Sequence, residues 1–393
     1  MASMTALVCA HPMQAASLAA QEARVPSPLS VNLARMRANP VTNGELVLSW
    51  DKAAITCNGK AVAATDWIDP HPQFAAKKLL DFPVTIGFAI DATGRAVGIR
   101  ALEGGYVESK FDLDFETMRV NAKGLLASLA VRDLMPSLRA SRFAADAPQT
   151  GCRVIYTPRY DDAAEIERDT LGRIAAVPRF RVTAAQRDQL SGGDCNTVGW
   201  PAPLLRGYPD FRKVAARDGA REWSWVRFDI DEAGVATNTA VIVSSGNADL
   251  DAEALRAFSD NRFAGGPRIG CATAWWRDPG TIPAPPAPDN SEYPGHRSCE
   301  ALRSWDKKPT LTYPPAYNER QIEGWAVLGF DIAADGTVGN VRVLAAQPSA
   351  EFGEAGAAVL QSGRFTAGDG ALTQCIEQVR FVTKKEAAPA SDS

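Results

Sequence analysis

The chain is 393 residues long, 46% apolar and 22% charged, with a net charge of -4. That length predicts two or three domains at about 150 residues each, and the composition excludes both a wholly disordered chain and a bundle of membrane spans. The 42 Lys and Arg are outnumbered by 46 Asp and Glu, which argues against nucleic acid, whose phosphates call for a concentrated basic surface.

In chain order, residues 1–23 (MASMTALVCAHPMQAASLAAQEA) are Ala-rich and nearly uncharged. They read as a signal peptide with small residues between Ala15 and Ala20 at the cleavage site; a floppy Ala-rich tail is the alternative. Val8 stands before Cys9 where a lipoprotein box wants Gly or Ala. No apolar run reaches the length of about 18 residues that a spanning helix needs, so no transmembrane span is expected.

Three stretches then repeat one order of landmarks, and repeats take precedence in reading a fold. Phe228-Asp229-Ile230 recurs as Phe330-Asp331-Ile332, and the same step carries Gly234 to Gly336, Val241 to Val343, and Arg262-Phe263 to Arg364-Phe365. Trp200 and Tyr208-Pro209 map onto Trp305 and Tyr313-Pro314. A weaker earlier copy has Phe88-Ala89-Ile90, Asp91, Gly94 and, after an insertion within 103–125, Arg142-Phe143. The cysteines follow suit. Each copy carries one cysteine ahead of its landmark Phe and a second just after its Arg-Phe. The pairs expected are Cys57–Cys152, Cys195–Cys271 and Cys299–Cys375, one disulfide per unit, with buried free thiols as the alternative. Closing loops of this length restricts the unfolded chain by about 4–5 kcal/mol in the entropy model. Such bonds persist in an oxidising compartment, so the units are expected outside the cytoplasm.

In the third copy, Pro314 to Gln321 suits a short helix, and Trp325 to Ile332 reads as a strand. Ala334-Asp335-Gly336 marks a turn and Val338 to Leu344 a returning strand. Glu351 to Gly363 has apolar residues at helical spacing, and Cys375 to Val382 is the last strand. The fold class expected is α+β: three tandem copies of a small antiparallel three-stranded sheet packed with two helices. The domain scheme is a first unit at 45–157, a linker at 158–190 with a helix near Ala163–Ile174, and a second unit at 191–276. A Pro-rich linker at 277–298, a third unit at 299–383 and a tail at 384–393 complete it.

The third copy, with Tyr313-Pro314, Glu323-Gly324-Trp325-Ala326-Val327, Asp335-Gly336, Val341-Arg342-Val343-Leu344 and Arg364-Phe365, resembles the TonB C-terminal domain family. The second copy resembles it less, with Arg221-Glu222 in place of Glu-Gly, and the first has His71-Pro72 in place of Tyr-Pro. The resemblance implies a periplasmic domain of two helices and three strands that captures a peptide near the N-terminus of outer-membrane transporters. The physical mode is strand addition, main-chain bonds giving the affinity. Here the matching edge is Gln374 to Val382, with Tyr313, Pro314, Gln374, Ile376, Gln378 and Arg380 as candidate peptide-binding residues. The partners implied are outer-membrane transporter segments or other envelope proteins. The family's energy transducers also carry a membrane anchor and a Pro-rich spacer ahead of this domain. Two expectations stand: a soluble periplasmic protein reusing the domain, or a transducer whose start lies upstream of Met1.

Catalysis is not expected. His11, His71 and His296 are scattered with no triad-like grouping, there is no CxxC, and no metal or cofactor motif occurs. Asp112, Asp114 and Glu116 alternate with Phe111, Leu113 and Phe115 as on the solvated face of a strand. Two function classes remain, a peptide- or protein-binding module of the envelope and a structural or scaffolding envelope protein.

Overall fold

A computed structural model of the chain describes residues 45–383, apart from 79, 103–129, 145–146, 178–181, 191, 294 and 300–301. The expected leader, the insertion with Asp112, Asp114 and Glu116, and the tail lie outside the described residues.

The first part runs β1 (Leu46–Lys52), β2 (Ile55–Cys57), β3 (Lys60–Val62), β4 (Ala64–Asp66), β5 (Gln73–Ala75), β6 (Val84–Ile90), β7 (Ala96–Ala101), α1 (Leu134–Ala140), β8 (Arg142–Phe143) and β9 (Gln149–Asp162). Then come α2 (Arg168–Ala176), α3 (Ala184–Leu190), α4 (Asp194–Thr197), β10 (Ala202–Leu205), β11 (Glu222–Ile230), β12 (Ala236–Ser244), α5 (Ala248–Ser259), β13 (Arg262–Ala264) and β14 (Arg268–Arg277). The last part has β15 (Trp305–Lys307), α6 (Pro315–Glu319), β16 (Gly324–Ile332), β17 (Val338–Gln347), α7 (Ala350–Ser362), β18 (Arg364–Phe365) and β19 (Leu372–Phe381). The class is α+β, built from antiparallel sheets; the first has seven strands where three were expected, because β1, β2, β3 and β5 extend it beyond β9. Among the described residues no helix is long and apolar enough to cross a membrane.

One arrangement recurs. Strand orders β7-β6-β9, β12-β11-β14 and β17-β16-β19 are alike, and beside them lie the two-stranded pairs β4–β8, β10–β13 and β15–β18. The repeated glycine and Arg-Phe have one physical cause. Gly94, Gly234 and Gly336 close the hairpin turns at φ of 75°, 77° and 86°, a region that favours glycine. Their carbonyls accept the amides of Phe143, Phe263 and Phe365 at 2.9, 2.8 and 2.9 Å. A Cβ on Gly234 or Gly336 would collide with the carbonyl oxygen of Phe263 or Phe365. The tethered rings then pack on the central strand, with centroids 5.7 Å apart for Phe88–Phe143, 5.8 Å for Phe228–Phe263 and 6.1 Å for Phe330–Phe365.

Among the described residues, the expected order of a short helix ahead of the sheet and a longer one after the hairpin occurs only in the third part, as α6 and α7. In the second, Asp210 to Val214 makes hydrogen-bonded turns where the first helix was expected; in the first, β5 follows His71-Pro72. Residues 158–190 differ from the expected linker. They continue β9 to Asp162 and then form α2 and α3, whose Leu171, Ile174 and Leu190 pack with Trp223 and Val243 of the second sheet. An amphipathic stretch with this much apolar surface gains more by covering a sheet face than by staying extended in water. The sheet is thereby covered on both sides. Residues 284–293 of the expected Pro-rich linker likewise pack on the back of the third sheet, away from α7. There Ala284, Ala287 and Tyr293 lie against Trp325, Val327 and Ile376.

The parts share a core. Leu48, Val84, Ile86, Phe88 and Leu138 of the first belong to the same apolar cluster as Tyr317, Ile322, Phe352 and Phe381 of the third. At the junction Arg320 is 1% exposed. It donates to both Asp133 carboxylate oxygens, at 2.7 and 2.6 Å, to Gly219 O at 3.0 Å and to Asp69 O at 3.1 Å. Burial alone would push the Asp133 carboxyl up, but Arg320 and His71 hold it well below the usual carboxylate range.

Candidate peptide-binding edge

Disulfides join Cys57 to Cys152, Cys195 to Cys271 and Cys299 to Cys375. In each case the second cysteine lies on the outer strand directly opposite the landmark Phe of the central strand: Cys152 against Phe88, Cys271 against Phe228, Cys375 against Phe330. The first cysteine comes from the segment ahead of the unit. Each bond therefore clamps that leading segment to the start of the outer strand, and every one of the six residues is buried.

Beyond the clamp the three outer strands part ways. On β9 the leading segment is itself a strand: β2 pairs at Cys57↔Cys152, and β1 continues from Lys52↔Tyr156 to Leu46↔Asp162. On β14 the leading segment is α4, and Asp194 Oδ2 accepts the Ile269 amide at 2.9 Å. On β19 it is Arg297, whose amide donates to Gln374 O and whose carbonyl accepts the Ile376 amide, both at 2.9 Å. Beyond Ile376 no strand pairs with the outer side of β19 among the described residues.

The six candidate residues fall into three groups. Gln374 and Ile376 sit on the outer edge, with the Gln374 carbonyl and the Ile376 amide already bonded to Arg297. Gln378 and Arg380 come next, on the unpaired stretch; Arg380 donates to Gln378 Oε1 at 2.9 Å, and Gln378 donates to Pro288 O at 3.4 Å. Tyr313 and Pro314 lie in the chain leading into α6. Pro314 precedes α6, and the Tyr313 hydroxyl donates to Ile322 O at 2.6 Å while its ring packs edge-on against Phe352 and Phe381. Burial, with help from Glu323, pushes its phenol up, so it stays a neutral donor.

Glu323 and Gly324 explain themselves in the same place. Glu323 Oε1 accepts the Thr383 amide at 3.1 Å, fastening the end of β19, and a Cβ on Gly324 would sit 2.5 Å from the Phe352 ring. Sequence reasoning named the motif without seeing that its carboxylate caps the edge strand. It also missed Arg297, which lies in the Pro-rich stretch and carries no signal of pairing.

Residues 208–276 and 309–383 match the family described as the Gram-negative bacterial TonB protein C-terminal. The two TonB C-terminal matches take in β11, β12, α5, β13 and β14, and then α6, β16, β17, α7, β18 and β19. They make this chain similar to an envelope protein linked to TonB-type transport, and the third unit carries the Glu-Gly of the pattern. No curated protein matches the chain.

Proposed function

We propose that the chain is a periplasmic, secreted protein that binds an extended peptide by strand addition on the outer edge of β19. The peptide is a segment of an outer-membrane transporter or of another envelope protein. The observation that carries this reading is the outer side of β19 from Gln378 to Arg380, bordered by no strand among the described residues and lying within a TonB C-terminal match. An extended peptide there gains main-chain bonds along the strand and side-chain contacts at alternate positions. The role is one of binding, not catalysis. Residues 45–157 act as a third, enlarged copy of the unit, on the strength of the shared strand order and the shared glycine-to-Phe bond. The test is titration of the full chain with synthetic peptides copying the N-terminal segments of outer-membrane transporters. Saturable binding that shifts the amide signals of Gln378 and Arg380 is expected. No binding at high micromolar peptide would sink the reading.

One observation favours a scaffolding role for the remaining units. Arg320 of the third part bonds groups of the first and the second, an arrangement suited to fixing their spacing.

A further inference from the structure

The Pro-rich stretch Pro283-Ala284-Pro285-Pro286-Ala287-Pro288-Asp289 lies on the back of the third sheet with a period of three. Pro283, Pro286 and Asp289 are exposed, while Ala284, Pro285, Ala287 and Pro288 are half-buried. Three residues per turn is the repeat of a polyproline II helix, and prolines fix their own φ while steering the preceding residue to the same region. Asp289, at φ -78° and ψ 148°, holds that conformation.

Side-chain donors read the carbonyls of this helix. The Trp325 indole donates to Pro285 O at 2.8 Å, Gln378 to Pro288 O at 3.4 Å, and Arg139 to Pro283 O at 3.1 Å. Between these contacts Trp325, Val327 and Ile376, all nearly inaccessible, present an apolar floor to Ala284 and Ala287. An aromatic-floored groove with an indole N–H aimed at a carbonyl suits a polyproline II ligand, which has already given up most of its conformational entropy. Nothing in these contacts depends on the ligand belonging to the same chain. Its prolines offer no amide to a ladder, and no side chain from 283 to 288 is fully buried.

We propose that the back face of the third sheet is a recognition surface for proline-rich extended segments. Residues 283–288 are its tethered occupant, and a partner carrying an Ala-Pro-Pro-Ala-Pro-like stretch takes their place. This surface adjoins the β19 edge at Gln378 but does not rest on the peptide-addition reading. A tether of this kind presents its segment at an effective concentration on the order of millimolar. A partner must exceed that to exchange.

The test uses the full chain with Pro285, Pro286 and Pro288 all replaced by Gly, which leaves the groove but disfavours its occupant. The probe is a synthetic peptide of residues 281–290, followed by calorimetry. Saturable 1:1 binding below millimolar peptide is expected, weakened at least about tenfold when Trp325→Phe is added and lost when the probe's prolines become Gly. A second variant spares the fold. Pro286 faces solvent, so Pro286→Gly loosens the tethered helix through chain entropy, by up to about fivefold. On that chain, millimolar probe should shift the Trp325 indole N–H resonance. The proposal is overturned by an opened chain that keeps its three disulfides yet does not bind, by binding indifferent to Trp325→Phe, or by an unmoved indole signal on the Pro286→Gly chain.

Discussion

The outer strands of the first and third units, β9 and β19, occupy the same place in the same strand order, yet their free sides have opposite fates. Beside β9 the chain lays its own β1 and β2, from Lys52↔Tyr156 to Leu46↔Asp162 and again at Cys57↔Cys152. Beside β19, among the described residues, it lays Arg297 alone. The disulfide stands at the same register in both, so the clamp is common and only the length of the leading strand varies. An unpaired edge with exposed amides and carbonyls invites a further strand. The first unit answers that invitation internally. Past Ile376 the third leaves it open among the described residues, so the same strand order is closed off in one place and open in the other.

Both edges belong to one body if Arg320 ties the units together, and the largest expected effect tests that. Arg320→Met leaves the Asp133 carboxylate buried without its partner, a loss of about 3–5 kcal/mol. In urea the sheets containing β9 and β19 should both unfold at lower denaturant; loss of the third unit alone would show the two edges to be independent. Next, Leu48→Ala removes a side chain that is 1% exposed beneath β1 and should cost about 3 kcal/mol. Amide exchange along Cys152 to Tyr160 should accelerate towards the rate seen at Gln378 and Arg380. Unchanged protection there would mean that β1 is not what closes the β9 edge. Smaller still, Arg297→Pro deletes the amide that donates to Gln374 O. The expected cost is about 1 kcal/mol, read as a roughly fivefold faster exchange of the Ile376 amide. It should also extend the length of edge open to a peptide.

Much of this is legible in the sequence, because local chemistry dictates it. The hairpin glycines, the Arg-Phe landmarks and the cysteine order each record a contact made inside every copy, so repetition exposes them. The Glu351–Gly363 expectation lies within a residue of α7, whose apolar spacing faces its own sheet. What stays hidden are contacts made once. Arg320 looks like any surface arginine until Asp133, Gly219 and Asp69 converge on it from distant stretches. Arg297 pairs with β19 through main-chain atoms, which carry no residue signature. In the charged stretch, α2 overlaps the helix expected near Ala163–Ile174, but α3 and the packing of both on Trp223 and Val243 carry no such signal. The motif points Tyr313 towards a ligand, whereas its hydroxyl is spent on Ile322 O.

The pH dependence of stability probes the joint that sets one edge relative to the other. The chain entering α7 runs against β7, with Ile99 donating to Pro348 O at 2.9 Å, and Glu351 lies in the first turn of that helix. Burial pushes the Glu351 carboxyl up to about 8, and the nearby Glu354 and Asp133 charges add to the rise. A helix N-terminus favours a carboxylate, but by less than burial and two like charges oppose it. Between the ordinary carboxyl value of 4.5 and about 8, the folded protein therefore keeps a proton that the unfolded chain has released. Folding then binds protons, so stability should fall as pH rises through that window. Glu351→Gln removes the titration while keeping the shape, and its urea midpoint should change less between pH 5 and pH 8 than that of the native chain. Equal slopes in the two chains would mean that Glu351 is already charged in the folded state. The joint between β7 and α7 would then hold a third carboxylate beside Asp133 and Glu354, and the first and third units would be held together despite that repulsion.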